Sequence, residues 1–302
     1  MKLLIFHTIL LITILLCYGC KEKEPDPKGS PEYISEVEQW HKNRIERLKT
    51  ETGWLNLVGL YWLKEGDNTF GSSKVNDIVF PKNAPAFMGK LTLKDSTVHL
   101  VVNDGINIYN KGKLVNKLDL ESDASGDPTI LEIGTFRWYI IKRSKGIGIR
   151  LRDLESPLLT EFDHIDRFPV SDDWNVKAKF EAYIPAKVIS IPTILGDVVE
   201  EESPGAAVFS VNGETYKIDL IDTGKRYWLI FADETSGEET YGAGRYLYTD
   251  KQDSAGNMTI DFNLAYNPPC VFTKFATCSF PPKQNFLKLK ITAGEKMWGE
   301  FH

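Results

Sequence analysis

The sequence predicts a mostly β protein, an antiparallel sandwich or open barrel, with one N-terminal amphipathic helix. Three observations carry this. Only one stretch, "SPEYISEVEQWHKNRIERLKTETG", repeats apolar residues at helical spacing, through Ile34, Val37, His41, Ile45 and Leu48. Beyond Gly53 the chain breaks into short runs of branched and aromatic residues, such as "STVHLVV", "GIGIRLRDL" and "RYWLIFADET", punctuated by Gly, Asn or Asp. That texture suits sheets joined by tight turns. Asn212-Gly213 lies between the alternating runs "AVFSV" and "ETYKIDLI" and is the strongest hairpin signal, because a type I′ turn wants φ > 0 at both central positions.

Taken in order, residues 1–19 read as a lipoprotein signal peptide. Lys2 supplies the positive start, and the apolar run Leu3 to Leu16 is shorter than the about 20 residues a membrane span needs. Its end, "LLCYGC", resembles a bacterial lipobox, which implies cleavage before Cys20 and a lipid on that sulfur. The chain is then expected to be exported and lipid-anchored in a bacterial envelope, at the outer membrane on its periplasmic or surface face. Residues 20–30, "CKEKEPDPKGS", lack apolar groups to bury and read as a disordered tether. The helix is expected over 31–52, capped by Ser30, with Pro31 at its first position and Gly53 as its stop. Residues 53–302 form the β-rich domain. "FDHIDRFPVSDDW", Phe162 to Trp174, interrupts the strand pattern. It is either a linker between β halves at 54–160 and 161–302 or a long loop within one body.

Composition narrows the function. The chain is 42% apolar and 26% charged, with a formal net charge of −6. Without a basic run it lacks the clustered Lys and Arg that nucleic-acid binding requires. With Cys17 removed and Cys20 lipidated, Cys270 and Cys278 remain, and an oxidising compartment makes a disulfide between them the leading expectation. Reduced thiols or metal ligands are the alternative, but no CxxC or HxxxH accompanies them. GxSxG, GxxxxGK[ST] and HExxH are absent, and the histidines are scattered, so no metal and no cofactor is expected. His164 in "DHID" could be a ligand or base, but a surface loop histidine is the simpler reading.

Two segments concentrate polar chemistry. In "RYWLIFADETSGEETYGAGRYLYTD" a buried strand emerges at Asp233 and Thr235. The chain then turns through Gly237, Gly242 and Gly244 past Glu239 and Thr240, and returns with Arg245, which can hold a carboxylate or phosphate in paired hydrogen bonds. The plain alternative is an exposed hairpin with solvated acids, in which Arg245 pairs with Asp233 or Glu239. In "TIDFNLAYNPPC" Asp261 and Asn263 alternate with apolar residues, so both are expected on one face of a strand, leading into Tyr266 and Asn267. Such groups suit a sugar, and equally a buried network that welds a loop to a sheet.

At these segments the chain resembles a bacterial family catalogued as domain of unknown function 1684, many of whose members are predicted lipoproteins. The resemblance rests on "GWLNLVGLYWL", "RDLESP", "FP" with the W-V-A-F spacing after it, "LIFADETSGEETYGAGRYL", "DFNLAYNPPCVFTKFATCSFPP" and "AGEK". It implies that Asp233, Thr235, Glu239, Thr240, Tyr241 and Arg245, with Asp261, Asn263, Tyr266 and Asn267, are the family's motif positions. It implies no activity.

Three functions follow. The first is a polar pocket shared by the two segments that binds a small polar ligand such as a carbohydrate, with Trp54, Tyr61, Trp62, Tyr241 and Tyr266 offering stacking surfaces. The second is a hydrolase at the same pocket, in which Asp233 or Glu239 works with Asp261 as the acid and base and Arg245 stabilises negative charge. The third is an envelope scaffold whose motifs only hold the fold together.

Overall fold

Past Gly53 the punctuated apolar runs become strands, and the computed structural model, which describes residues 24–299, arranges them in four sheets. The first eleven are β1 (Leu57–Trp62), β2 (Gly66–Gly71), β3 (Ile78–Val79), β4 (Gly89–Lys94), β5 (Thr97–Val102), β6 (Ile108–Asn110), β7 (Lys113–Val115), β8 (Lys117–Leu120), β9 (Leu131–Ile133), β10 (Phe136–Arg143) and β11 (Gly146–Asp153). They form a sheet of order β3-β2-β4-β5-β8 and another of order β1-β11-β10-β9-β6-β7. Every pairing is antiparallel except β2 with β3. Alternation sends Phe70, Leu91 and Leu100 of one sheet, and Trp138, Ile149 and Leu151 of the other, into one shared core. Trp138 is fully buried and meets Phe70 edge-on at 5.4 Å.

The second set is β12 (Asn175–Pro192), β13 (Val198–Val211), β14 (Glu214–Asp219), β15 (Ile221–Asp222), β16 (Arg226–Phe231), β17 (Arg245–Asp250) and β18 (Asn257–Asp261). It makes the sheets β14-β13-β12-β18 and β15-β16-β17, which share a core of Phe209, Leu229, Phe231, Leu247, Ile260 and Phe262. Asn212 (φ 52°) and Gly213 (φ 83°) join β13 to β14 in the two-residue turn that the sequence predicts. The architecture is thus mostly β, with antiparallel sheets packed face to face. The first core draws on residues 58–151 and the second on residues 174–293. The interrupting segment between them is packed: Phe162, Ile165, Phe168 and Val170 are all buried. A short helix, α2 (Pro157–Glu161), leads into it.

The N-terminal helix, α1 (Pro31–Lys49), begins as its caps dictate. The Ser30 hydroxyl accepts from the Tyr33 N–H at 3.2 Å, and Pro31 takes the first position. The helix stops at Lys49, capped by Thr50, and not at 52. Gly53 is needed one step later, because a Cβ there would lie 2.1 Å from the Leu48 carbonyl oxygen. The buried stripe is Val37, His41, Arg44 and Leu48, so a charged residue sits where periodicity alone leads one to expect only apolar contact.

The expected signal peptide and the expected lipidation site Cys20 lie outside the described residues. Within the expected tether, Lys28 meets the domain: its N–H donates to Val170 O at 2.8 Å, its carbonyl accepts from Asp172 N at 3.0 Å, and its ammonium pairs with Asp173. No helix among the described residues is long and apolar enough to cross a membrane.

Candidate functional site

The acidic hairpin motif folds inward. β16 ends at Phe231, and Asp233 and Thr235 follow in a tight loop that returns through Thr240 to β17. Asp233 Oδ1 accepts from the Thr235 N–H at 2.7 Å and its hydroxyl at 2.5 Å, and Thr235 Oγ1 lies 2.8 Å from Thr240 Oγ1. Arg245 Nη2 reaches Asp233 Oδ2 at 2.5 Å and Ile291 O at 3.1 Å, while Nη1 donates to Ala293 O. The Asp233 side chain is 0% exposed and that of Arg245 1%, so their ends face protein and not solvent. Burial pulls the guanidinium below its ordinary range, and the Asp233 carboxylate opposes that fall. Gly244 (φ 84°) permits the close approach, since a Cβ would meet Phe231 O at 2.5 Å. This cluster welds the loop to residues 291–293. Glu239 stands apart, paired with Lys290 at 2.8 Å.

The second predicted group forms elsewhere. Asp261 ends β18, and Phe262–Leu264 is a 3-10 turn, not continued strand, because the Asp261 side chain caps it by accepting from the Asn263 N–H at 3.0 Å. Asp261 and Asn263 nonetheless converge on Tyr33 of α1. The phenol donates to Asp261 at 2.9 Å and accepts from Asn263 Nδ2 at 2.9 Å. Asn263 also clasps Ser171, accepting from its N–H at 2.9 Å and donating to its carbonyl at 2.8 Å. The network ties the helix and the connector to the sheet. Among the described residues no hydrogen bond or ion pair joins it to Asp233 or Arg245. The two motifs do meet, but through backbone, where Tyr246 and Tyr266 exchange hydrogen bonds of 2.9 Å.

Burial raises the Asp261 carboxyl above its ordinary value, against the hydrogen bonds from Asn263 and Tyr33. A carboxyl raised on folding contributes most below its unfolded pKa of about 3.9 and loses that contribution as pH rises through the folded value. Asp261→Asn, which cannot ionise, should therefore gain on the parent in urea denaturation as pH rises from about 4 to 7. Parallel stabilities across that range would contradict this assignment.

Asn267 belongs to a third node. Its N–H donates to Glu295 Oε2 at 2.7 Å, its amide donates to Lys296 O at 2.7 Å, and its carbonyl accepts from Arg44 at 3.0 Å. Tyr241 packs among Leu48, Phe162 and Phe272 and is hydrogen-bonded to Cys270. Cys270 and Cys278, the pair expected to form a disulfide, lie together as thiols here, with Cys278 Sγ 3.0 Å from the Cys270 N–H. The contact with Cys278 holds Cys270 below the ordinary thiol range and pushes Cys278 above it. His164 is exposed between Asp163 and Asp166, and hydrogen bonding to Asp163 raises it. Among the described residues no cluster of His, Cys, Asp and Glu has the arrangement of a metal site.

The cavity that these segments do border lies on the other face of β16 and β17. It has a volume of about 650 Å³ and is walled by Trp40, Arg44 and Arg47 of α1, by Arg226 and Trp228 of β16, by Tyr246 and Tyr248 of β17, and by Trp54, Leu264, Tyr266 and Pro269. Small-molecule sites typically measure about 300–1,000 Å³. The helix residues lie four and three apart and so share one face. Arg226 and Trp228 alternate along β16, as Tyr246 and Tyr248 do along β17, and Trp228 faces Tyr248 in register. Their rings interlock: Trp228 meets Tyr246 edge-on at 5.0 Å and stacks on Tyr248 at 6.3 Å, and Tyr248 stacks on Tyr266 at 6.5 Å. Arg44 lies over the Tyr266 ring at 4.6 Å and Arg226 over Tyr248 at 4.8 Å. Burial raises the phenols of Tyr246, Tyr248 and Tyr266, so all three keep their protons. Among the described residues no carboxylate lines the wall.

Of the residues expected to bind ligand, only Tyr266 lines this cavity; of the expected stacking surfaces, Trp54 joins it. Tyr61 stacks on Phe80 in the first core, and Trp62 lies beneath Lys145. The wall residues missed by sequence reasoning carried a signal in their spacing, Trp40-Arg44-Arg47 on a helix and Arg-x-Trp and Tyr-x-Tyr on strands.

Fold and cavity together define a class: a β-rich protein whose polar motifs are mostly welded into the interior and whose cavity between α1, β16 and β17 is aromatic and cationic. Residues 160–296 match the family described as "Protein of unknown function (DUF1684)". That span holds the second β body and both polar motifs, while "GWLNLVGLYWL" and "RDLESP" lie outside it. No curated protein matches the chain. A solution NMR structure of an uncharacterized protein from Haloarcula marismortui is 26% identical, over 45% of this chain and 78% of that one, with a TM-score of 0.38.

Proposed function

We propose that the protein is a lipid-anchored envelope protein that binds a small polar ligand with a flat face, such as a carbohydrate ring, in the cavity between α1 and the β16–β17 ribbon. The observation that carries this is the wall itself: three tryptophans and three tyrosines set around about 650 Å³. Aromatic faces stack on the apolar faces of sugar rings, while the guanidinium groups and the phenols of Tyr248 and Tyr266 supply hydrogen bonds at the edges; the Tyr246 phenol donates instead to Ser279 O at 2.7 Å. The hydrolase alternative lacks comparable support. Asp233 is spent on Arg245, Asp261 on Tyr33 and Asn263, and Glu239 on Lys290, and the three do not share a cavity.

A thermal-shift screen of the purified chain against sugars, organic acids and nucleotides tests the reading. A ligand at 100 times its Kd adds about 2.7 kcal/mol, which moves Tm upward by several °C. Trp228→Ala should remove that shift while remaining folded. A panel without hits would favour a scaffold.

The anchor rests on the N-terminal sequence, and export would bring Cys270 and Cys278 into an oxidising compartment. Closing that short loop would contribute about 2–3 kcal/mol in the chain-entropy model. Intact mass spectrometry of protein extracted from membranes reads both features. The expected species starts at a lipidated Cys20 and is two hydrogens lighter than the dithiol form. An unmodified N-terminus would remove the anchor, and thiols that alkylate without prior reduction would remove the disulfide.

A further inference from the structure

We infer that the cavity takes an acidic sugar, a pyranose carrying a carboxylate of the uronate kind, an inference that rests on this cavity being the ligand site. The argument is one of charge. The whole chain is formally −6, yet this wall holds Arg44, Arg47 and Arg226 and, among the described residues, no acid. Arg44 is already compensated, since its Nε lies 3.3 Å from Glu295 Oε1 behind the wall. Among the described residues Arg47 and Arg226 form no ion pair, and both are exposed. Two uncompensated guanidinium groups at one concavity set up a local positive field in an otherwise acidic protein, and a carboxylate satisfies their forked donors in paired hydrogen bonds.

The remainder of the wall argues for a sugar on that carboxylate. Trp228 has an indole N–H that is buried and lacks an acceptor among the described residues, in a wall otherwise made of ring faces and phenols. Ring hydroxyls both donate and accept, and so match the phenols of Tyr248 and Tyr266 and the guanidinium donors together. An inorganic anion would use the arginines and make no use of the aromatic wall. A neutral sugar would use the rings and leave the charge.

The test uses the full chain in detergent micelles and follows the fluorescence of the wall tryptophans. Glucuronate and galacturonate are titrated against glucose and galactose, with benzoate and inorganic phosphate as further probes. At low salt the uronates are expected to bind at least about tenfold tighter than their neutral counterparts, and the preference should shrink as sodium chloride is raised. Arg47→Ala and Arg226→Ala should each bring the ratio of uronate to neutral-sugar affinity towards one. Equal affinities in the parent overturn the acidic preference while leaving the ligand site standing. Benzoate or phosphate binding as tightly as the uronates overturns the sugar acid as the ligand. Binding of none of the probes overturns both this inference and the reading beneath it.

Discussion

Asp233→Ala should cost about 3–5 kcal/mol of folding stability, because it strands the buried Arg245 guanidinium without its counter-charge. The site leaves no route for water to compensate, with the two side chains 0% and 1% exposed. The loss extends beyond the ion pair. Asp233 Oδ1 also accepts the Thr235 N–H and hydroxyl, so truncation leaves the buried N–H unpaired, while the hydroxyl keeps Thr240 Oγ1 as its partner. Arg245→Met should cost as much, since it frees the Ile291 and Ala293 carbonyls along with the carboxylate. The double variant Asp233→Leu/Arg245→Met should recover part of the sum, because it buries no unpaired charge. Urea denaturation of the four proteins decides the matter. Single variants within about 0.5 kcal/mol of the parent would mean that the pair is solvated, as at an ordinary surface site, and would reopen it as a ligand cradle.

The β architecture was legible because its signals are local. Asn212-Gly213 fixes a turn by its own φ preferences, and Ser30-Pro31 starts α1 by its own capping chemistry. The candidate site was legible only in part. The two polar motifs, expected to line one shared pocket, touch along the Tyr246–Tyr266 backbone and through their aromatic rings, and their charged ends are directed into separate networks. Side-chain alternation explains this. Arg245 and Leu247 face the core side of β17, and Tyr246 and Tyr248 face the cavity, so a motif read as one cluster is divided between two faces of a sheet. The pairing of Arg245 with Asp233 was foreseeable from their places at either end of one loop. Its burial was not, because it depends on residues 291–293 closing over the pair. The partnership of α1 with the β16–β17 ribbon is likewise non-local. Trp40, Arg44 and Arg47 define a face without saying what it covers.

Glu295→Ala should be of similar magnitude, about 3–5 kcal/mol, for a reason that joins stability to the cavity. Glu295 is 1% exposed and holds three groups at once: the Asn267 N–H at 2.7 Å, and on α1 the Arg44 guanidinium at 3.3 Å and the His41 ring at 3.9 Å. Removing it leaves a buried cation on α1 directly behind the Tyr266 ring, so ligand affinity should fall with stability. Glu295→Gln keeps an acceptor for Asn267 and removes only the charge, and should lie between the variant and the parent. His41 supplies a second readout. Burial lowers its pKa, and Glu295 is the main group opposing that fall. A histidine lowered on folding contributes stability that is full above its unfolded pKa of about 6.5 and is lost as pH falls through the folded value. Without Glu295 the histidine falls further, so the deficit of Glu295→Gln should widen between about pH 7.5 and 5.5. A deficit that narrows over that interval would mean that the His41 ring does not sense the Glu295 charge, and the node would then be a backbone clasp at Asn267 and not an electrostatic one.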